Sequence, residues 1–229
     1  QREAVETAIW LFEHEEALTA SSLIGYSSSD TITPAMFEEN WTRYVFKLAT
    51  GVGKTKVLSL LIAWSYFHKL YEKDSNLSTN FLLVAPNIIV LERLKEDFNS
   101  LKIFSSDPVI PENGFDGKNW KNDFNVTLHI QDEIGTVSPI GNIFLTNIHR
   151  IFEGKQAPAN TDENLTDFFL GHRPVARTND AVIDLGEVVR QVNDLVVLND
   201  EAHHIHDNSL AWFKAIENID ASMRRRNNG

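Results

Sequence analysis

The feature that most constrains this chain is a short glycine turn between two apolar segments. The turn reads Ala49-Thr50-Gly51-Val52-Gly53-Lys54-Thr55, after an apolar run at Tyr44 to Leu48 and before a helical pattern that begins at Val57. Glycines in such a turn let backbone N–H groups approach phosphate oxygens, a lysine adds positive charge, and a threonine hydroxyl can ligate Mg²⁺. The turn therefore predicts a nucleotide-phosphate site, with a fortuitous glycine turn as the alternative.

A second candidate site follows the last predicted strand. Leu195-Val196-Val197-Leu198 is a compact apolar run, and Asn199-Asp200-Glu201-Ala202-His203 follows it directly. Thr55 and Asp200 would hold Mg²⁺ directly or through water, and Glu201 would orient and deprotonate an attacking water. With the lysine that contacts the β- and γ-phosphates, the predicted phosphoryl-transfer set is Lys54, Thr55, Asp200 and Glu201.

Strands that alternate with helices predict an α/β domain with a mostly parallel central sheet. Apolar runs of strand length lie at 81–85, 143–146 and 195–198, and a further strand is expected within 125–130; helical patterns lie at 1–18, 57–67, 88–101, 183–192 and after 210. Ligands of parallel sheets bind at the carboxyl ends of the strands, so the glycine turn and Asp200 are expected at a common edge. Two polar stretches, 19–40 and 153–180, are candidate insertions.

Composition narrows the functional classes. The 229 residues contain no cysteine, which excludes disulfides and thiolate metal sites and leads us to expect a cytoplasmic protein. No stretch reaches the roughly 18 apolar residues of a membrane span, so no membrane partner is expected. A net charge of −11 argues against broad, non-specific nucleic-acid binding, so any contact with nucleic acid must be local.

The two motifs resemble motifs I and II of superfamily 2 DEAD/DEAH-box helicases. Position 48, where a strict phosphate loop has its first glycine, is Leu, and motif I of that family often lacks this glycine. Leu83-Val84-Ala85-Pro86-Asn87 resembles motif Ia, and Leu145-Thr146-Asn147 resembles motif Ib. With Asn199 before motif II and a doubled His203-His204, the pattern is similar to the restriction (Res) subunits of type III restriction enzymes, over most of the chain outside 19–40 and 153–180.

The resemblance implies that residues 1–229 form an N-terminal RecA-like P-loop lobe that uses ATP and Mg²⁺. It implies that Gln1 recognises adenine and that His203 links the ATP site to the nucleic-acid side. The remaining roles it implies are ATP binding by Thr50, Gly51, Val52, Gly53, Lys54 and Thr55, and contact with the sugar-phosphate backbone by Pro86, Asn87, Thr146 and Asn147.

The family's motif III and its second RecA-like lobe are not found in the sequence. Because the chain also begins with Gln1 rather than Met, we expect it to be a part of a longer protein. As an isolated polypeptide, this part is expected to be poorly folded or nearly inactive in ATP turnover. The first hypothesis is a DNA helicase or translocase motor lobe with DNA, the second lobe and a modification (methyltransferase) subunit as candidate partners. The alternatives are an ATP-binding switch or assembly module, against which Glu201 argues, and a helicase-like remodeller acting on RNA.

Three further features have simpler interpretations. His203, His204 and His206 with Asp207 could bind a metal, but the metallo-hydrolase pattern His-x-His-x-Asp-His fails at 208 and 209, which favours polar residues on the approach to a helix. The basic run at 224–226 is expected to be solvated charge. Trp41 and Trp120 lie in polar surroundings and could be exposed.

Overall fold

The computed structural model describes residues 1–24, 26, 42–49, 51–72, 74–105, 109–111, 113–130, 135–147, 192–200 and 211–227. The chain divides into two compact units, residues 1–61 and 62–229. The helices are α1 (Arg2–Ile9), α2 (Ala20–Ile24), α3 (Lys54–Tyr71), α4 (Ile88–Phe98), α5 (Lys102–Ser105), α6 (Trp120–Asp123) and α7 (Ala211–Asn227). The strands are β1 (Asn80–Ala85), β2 (Thr127–Ile130), β3 (Asn142–Asn147) and β4 (Val196–Asn199).

Short helical turns join some of these elements. A π-helical turn, Trp10–His14, follows α1, and 3-10 turns lie at Asn99–Leu101 and Phe115–Gly117. None of the helices in the described ranges has both the length and the hydropathy that a membrane span requires.

The first unit confirms an amphipathic helix near the start of the chain and corrects one predicted strand. Val5 and Ala8 are the buried residues of α1. The strand predicted at 44–48 is wrong, because within the described residues no ladder includes it. Instead the Tyr44 hydroxyl donates to the carbonyl oxygen of Ala17 at 3.1 Å. Strand propensity reflects the fit of side chains to a pleated surface, so an apolar run without a paired neighbour does not become a strand.

The second unit is built on a parallel sheet. Its four described strands lie in the order β2-β3-β1-β4, and every pairing between them is parallel. β1 is therefore an interior strand, with Leu83 opposite Leu145 on one side and Leu198 on the other. The predicted α/β fold with a parallel central sheet and flanking helices is confirmed.

Both faces of β1 are covered, which explains its uninterrupted apolar sequence. On one face, Leu83 joins a core that includes residues of α3 and α4; on the other, Leu82 joins a core that includes Ile219 and Met223 of α7. Residues 81–85 are all buried. The helix after the glycine turn, the helix after β1 and the last helix are confirmed at the places where the apolar patterns predicted them.

The polar stretch between α5 and β2 carries aromatic residues that complete the first core. Trp120 stacks on Phe67 with ring centroids 4.9 Å apart, and Phe124 lies edge-on to Tyr66 at the same separation. The Tyr66 hydroxyl donates to the carbonyl oxygen of Asp123 at 2.9 Å. The predicted exposure of Trp120 is therefore wrong. Although its neighbours in the sequence are polar, the folded chain packs its ring against aromatic residues of the first core.

At the amino end of the sheet, one buried amide joins neighbouring strands. Asn142 Nδ2 donates to Asn80 Oδ1 and to the carbonyl oxygen of Ser138, both at 2.8 Å. Its Oδ1 accepts from the Ser138 backbone N–H at 2.8 Å and lies 3.0 Å from His129 Nε2. Because that amide oxygen can only accept, the Nε2 atom of His129 must carry the proton. The Asn142 side chain thus links β3 to both β1 and β2.

We expect Asn142→Asp to destabilise the protein by about 3 kcal/mol, because an isosteric carboxylate oxygen would replace the donor that faces two acceptors. Urea-induced unfolding followed by circular dichroism measures this. Asn125→Asp is the matched control at an exposed position and should shift stability by no more than about 0.5 kcal/mol. Equal unfolding midpoints for the two variants would contradict the role given to Asn142.

Candidate functional site

The glycine turn has the backbone conformation that its glycines predict. Gly51 and Gly53 have φ angles of +79° and +86°, in the left-handed region that favours glycine. The Val57 N–H donates to the Gly53 carbonyl oxygen at 3.2 Å, so α3 begins directly after the turn, with Lys54 and Thr55 in its first helical turn. A helix that begins in this way directs backbone N–H groups and the positive end of its dipole toward an anion.

Gln1 lies against this turn. Its Nε2 donates to the carbonyl oxygen of Val52 at 2.6 Å. A Cβ placed on Gly53 would overlap the same Gln1 Nε2 atom, so a larger residue there must displace the end of the Gln1 side chain. The structure therefore brings Gln1 together with the described residues of the predicted ATP-binding turn, all within the first unit. The role of Gln1 in adenine recognition stays a prediction.

The carboxyl ends of three strands in the second unit lie side by side. Asn147 is opposite Ala85 in the pairing of β3 with β1, and Asn199 is opposite Val84 in the pairing of β4 with β1. The Asp200 N–H donates to the Val84 carbonyl oxygen at 3.2 Å, which continues this register beyond β4. Since paired strands are about 4.8 Å apart, Ala85, Asn147 and Asp200 lie together at one edge of the sheet.

Asp200 is a buried acid at this edge. It is 6% exposed, and its Oδ2 lies 3.6 Å from Nη2 of Arg93 on α4. A carboxylate and a threonine hydroxyl are hard oxygen donors of the kind that Mg²⁺ takes, usually one or two from the protein alongside water and substrate phosphates. The donor chemistry of Asp200 and Thr55 thus fits Mg²⁺, although Thr55 belongs to the first unit and Asp200 to the second.

The predicted nucleic-acid residues differ in their exposure. Pro86 and Asn87 are partly exposed, and the Asn87 Oδ1 accepts from the Val90 N–H at 3.0 Å, which makes Asn87 the N-cap of α4. Thr146 is buried, and its hydroxyl donates to the carbonyl oxygen of Asn147 at 3.1 Å. Asn147 is partly exposed. All four lie at the carboxyl edge, and their contact with nucleic acid stays a prediction.

Several predicted site residues lie outside the described residues. These are Thr50, Glu201 and His203, together with Trp41, the histidines at 204 and 206, most of 19–40 and all of 153–180. Among the residues that the structure does describe, no group of three or more His, Cys, Asp or Glu side chains could hold a metal ion. The basic run at 224–226 in α7 is exposed, as expected for solvated charge; in addition, Arg224 pairs with Asp220 at 2.7 Å, and Arg226 donates to the carbonyl oxygen of Val192 at 2.9 Å.

Arg93 is the site residue that the sequence did not predict. It lies on the exposed side of an amphipathic helix, between Leu91 and Leu94, which are buried in the first core. Nothing in that local pattern separates it from a solvated surface arginine. Its position beside Asp200 follows from the packing of α4 against the sheet, a tertiary relation that spacing in the sequence does not reveal.

A glycine turn that opens a helix in the first unit, and a parallel sheet with an acid directly after one of its strands in the second unit, are features of a P-loop nucleotide-binding domain. The family described as type III restriction enzyme, res subunit, matches residues 1–225, and the chain belongs to that family. It is a superfamily 2 helicase-type family whose members are in general ATPases and helicases that use ATP and Mg²⁺. No curated protein and no solved structure matches the chain.

We expect Gly53→Ala to weaken the binding of a fluorescent ATP analogue about tenfold, because alanine is strained at this φ and must displace Gln1. Equilibrium fluorescence titration measures the affinity. Gly117→Ala is the matched control, since Gly117 also has a left-handed φ of +73° but its Cβ would meet no atom within 4 Å. An unchanged affinity in Gly53→Ala would show that the turn does not bind nucleotide in this conformation.

Proposed function

We propose that this chain is the ATP-dependent DNA helicase or translocase motor lobe of a restriction-type enzyme. It is a DEAH-type ATPase that binds Mg-ATP, hydrolyses it together with a second RecA-like lobe, and thereby moves along DNA. The observation that carries the proposal is the register at the carboxyl edge, where Asn147 and Ala85 end two adjacent strands and Asp200 directly follows a third. Membership of a family of helicase-type ATPases supports it.

In this proposal the first unit binds the nucleotide. The backbone of residues 51–53 surrounds the phosphates, Thr50 contributes to ATP binding, Lys54 places its ammonium group against the β- and γ-phosphate oxygens, and Thr55 supplies a hydroxyl to Mg²⁺. Gln1 contacts adenine, and the hydrogen bond from its Nε2 to Val52 supports a shared position for base and phosphate recognition.

The second unit supplies the acids. Asp200 holds Mg²⁺ directly or through water, and Glu201 orients the attacking water and accepts its proton. Mg²⁺, when bound, neutralises charge on the phosphate oxygens. His203 connects this acidic motif to the nucleic-acid side. Burial of Asp200 supports its assignment, because a carboxylate in a site of reduced water access interacts strongly with a cation.

Contact with DNA uses the same edge of the sheet. Pro86, Asn87, Thr146 and Asn147 contribute short polar and main-chain groups, which position a sugar-phosphate backbone without adding net positive charge. A chain of net charge −11 can bind nucleic acid locally in this way. A second RecA-like lobe and a modification subunit complete the proposed set of partners.

We expect Lys54→Ala in the full-length protein to reduce Mg-dependent ATP hydrolysis to background, because the variant loses the ammonium group at the transferred phosphate. A coupled phosphate-release assay measures the rate. Lys121→Ala, which removes an exposed lysine of α6, is the charge-matched control and should retain the wild-type rate. Wild-type turnover in Lys54→Ala would refute the assignment of the ATP site.

The nucleic-acid partner is tested by comparing ATP hydrolysis in the presence of duplex DNA, single-stranded DNA and RNA. A DNA translocase predicts stimulation by DNA well above that by RNA. Stimulation by RNA alone would favour a helicase-like remodeller of RNA, and stimulation by none of the three would favour an ATP-binding switch.

A further inference from the structure

The carboxylate of Asp200 has a cationic neighbour that none of the motifs includes. Arg93 Nη2 lies 3.6 Å from Asp200 Oδ2, within ion-pair range but beyond the 2.7–3.2 Å of a typical N–H···O hydrogen bond. Both residues belong to the second unit. Leu91 and Leu94, which flank Arg93 on α4, are buried against the sheet, so the backbone that presents the guanidinium is held by the core.

The two members of this ion pair differ in exposure. The Asp200 side chain is 6% exposed, whereas the Arg93 side chain is 59% exposed. A buried carboxylate is costly without a counter-charge, but an arginine head on the surface can return to water at little cost. The Arg93 side chain can therefore move away from the ion pair into solvent, whereas the Asp200 side chain stays buried.

We infer that Arg93 is a positioning residue that holds the Asp200 carboxylate when Mg²⁺ is absent and yields it when Mg²⁺ binds. The inference rests on the proposed function, because it takes Asp200 as the Mg²⁺ ligand. A guanidinium 3.6 Å from the carboxylate repels a divalent cation arriving there, so the two cations compete for one acid. Arg93 keeps the carboxylate in place and raises the Mg²⁺ concentration that the site requires.

Arg93→Gln tests the competition by removing the charge, and Arg93→Met tests it again while keeping the apolar stem of the side chain. Lys95→Gln is the matched control, because Lys95 lies on the same helix, pairs with Glu92 at 2.8 Å and carries the same charge. The probe is fluorescent mant-ADP, which is not hydrolysed, titrated at equilibrium with MgCl₂ in the full-length protein. The measured quantity is the Mg²⁺ concentration at which mant-ADP binding is half-maximal.

We expect both Arg93 variants to reach half-maximal binding at about two- to fivefold lower Mg²⁺ than the wild type, the range of a partly exposed ion pair. Lys95→Gln should match the wild type. Thermal unfolding in EDTA should show a lower Tm for both Arg93 variants than for Lys95→Gln. This difference should disappear with saturating Mg²⁺ and ADP, because Arg93 acts only in the metal-free state.

An equal or higher Mg²⁺ requirement in both Arg93 variants would overturn the inference while leaving the ATP site intact. If the wild-type protein bound mant-ADP with no response to Mg²⁺, the metal role of Asp200 would fail, and this inference with it. The two failures are distinguishable, because the first appears only in the variants and the second already in the wild type.

Discussion

The structure depends on the parallel pairing of β1 with strands on both sides. Backbone hydrogen bonds fix β3 and β4 in one register against β1, so all three strands end at the same edge. The two hydrophobic cores form on the faces of that interior strand, one with α3 and α4 and the other with α7. A slip of one residue would exchange the faces of every side chain, so core packing and site geometry are specified together.

Buried polar side chains have different roles at the two ends of the sheet. At the amino end, the Asn142 side chain bonds to the side chains of Asn80 and His129 and to the backbone of Ser138, and it serves the fold by joining three strands. At the carboxyl end, Asn87 caps a helix and Asp200 faces a solvent-exposed arginine. Polar groups that satisfy one another stabilise a single structure, whereas an acid with a replaceable counter-charge can exchange that charge for a ligand.

The sequence was most informative where burial is complete. β1 and β3 are apolar runs because both faces of the sheet are covered, and the glycines of the turn are recognisable because φ angles near +80° exclude most other residues. The residues of this turn and of the acidic segment after the last strand also carried the resemblance to the family to which the chain belongs.

Prediction failed where the outcome depends on a distant partner. Residues 44–48 have the composition of a strand but pair with none of the described strands. Trp120 has polar neighbours in the sequence, yet its ring stacks on Phe67. Arg93 has no distinguishing local signal, because its neighbour Asp200 is more than a hundred residues away in the chain. Long-range contacts of this kind are set by packing, which periodicity and spacing do not report.

In the proposed function, Asp200, the acid that follows β4, serves Mg-dependent ATP hydrolysis that DNA stimulates. The most direct measurement is the rate of ATP hydrolysis by full-length Asp200→Asn with Mg²⁺ and duplex DNA, beside Asp220→Asn, which alters an ion-paired acid of α7. We expect the rate of ATP hydrolysis to fall by about a hundredfold or more in Asp200→Asn and to stay at the wild-type value in Asp220→Asn. Wild-type, DNA-stimulated hydrolysis by a folded Asp200→Asn protein would contradict this role of Asp200.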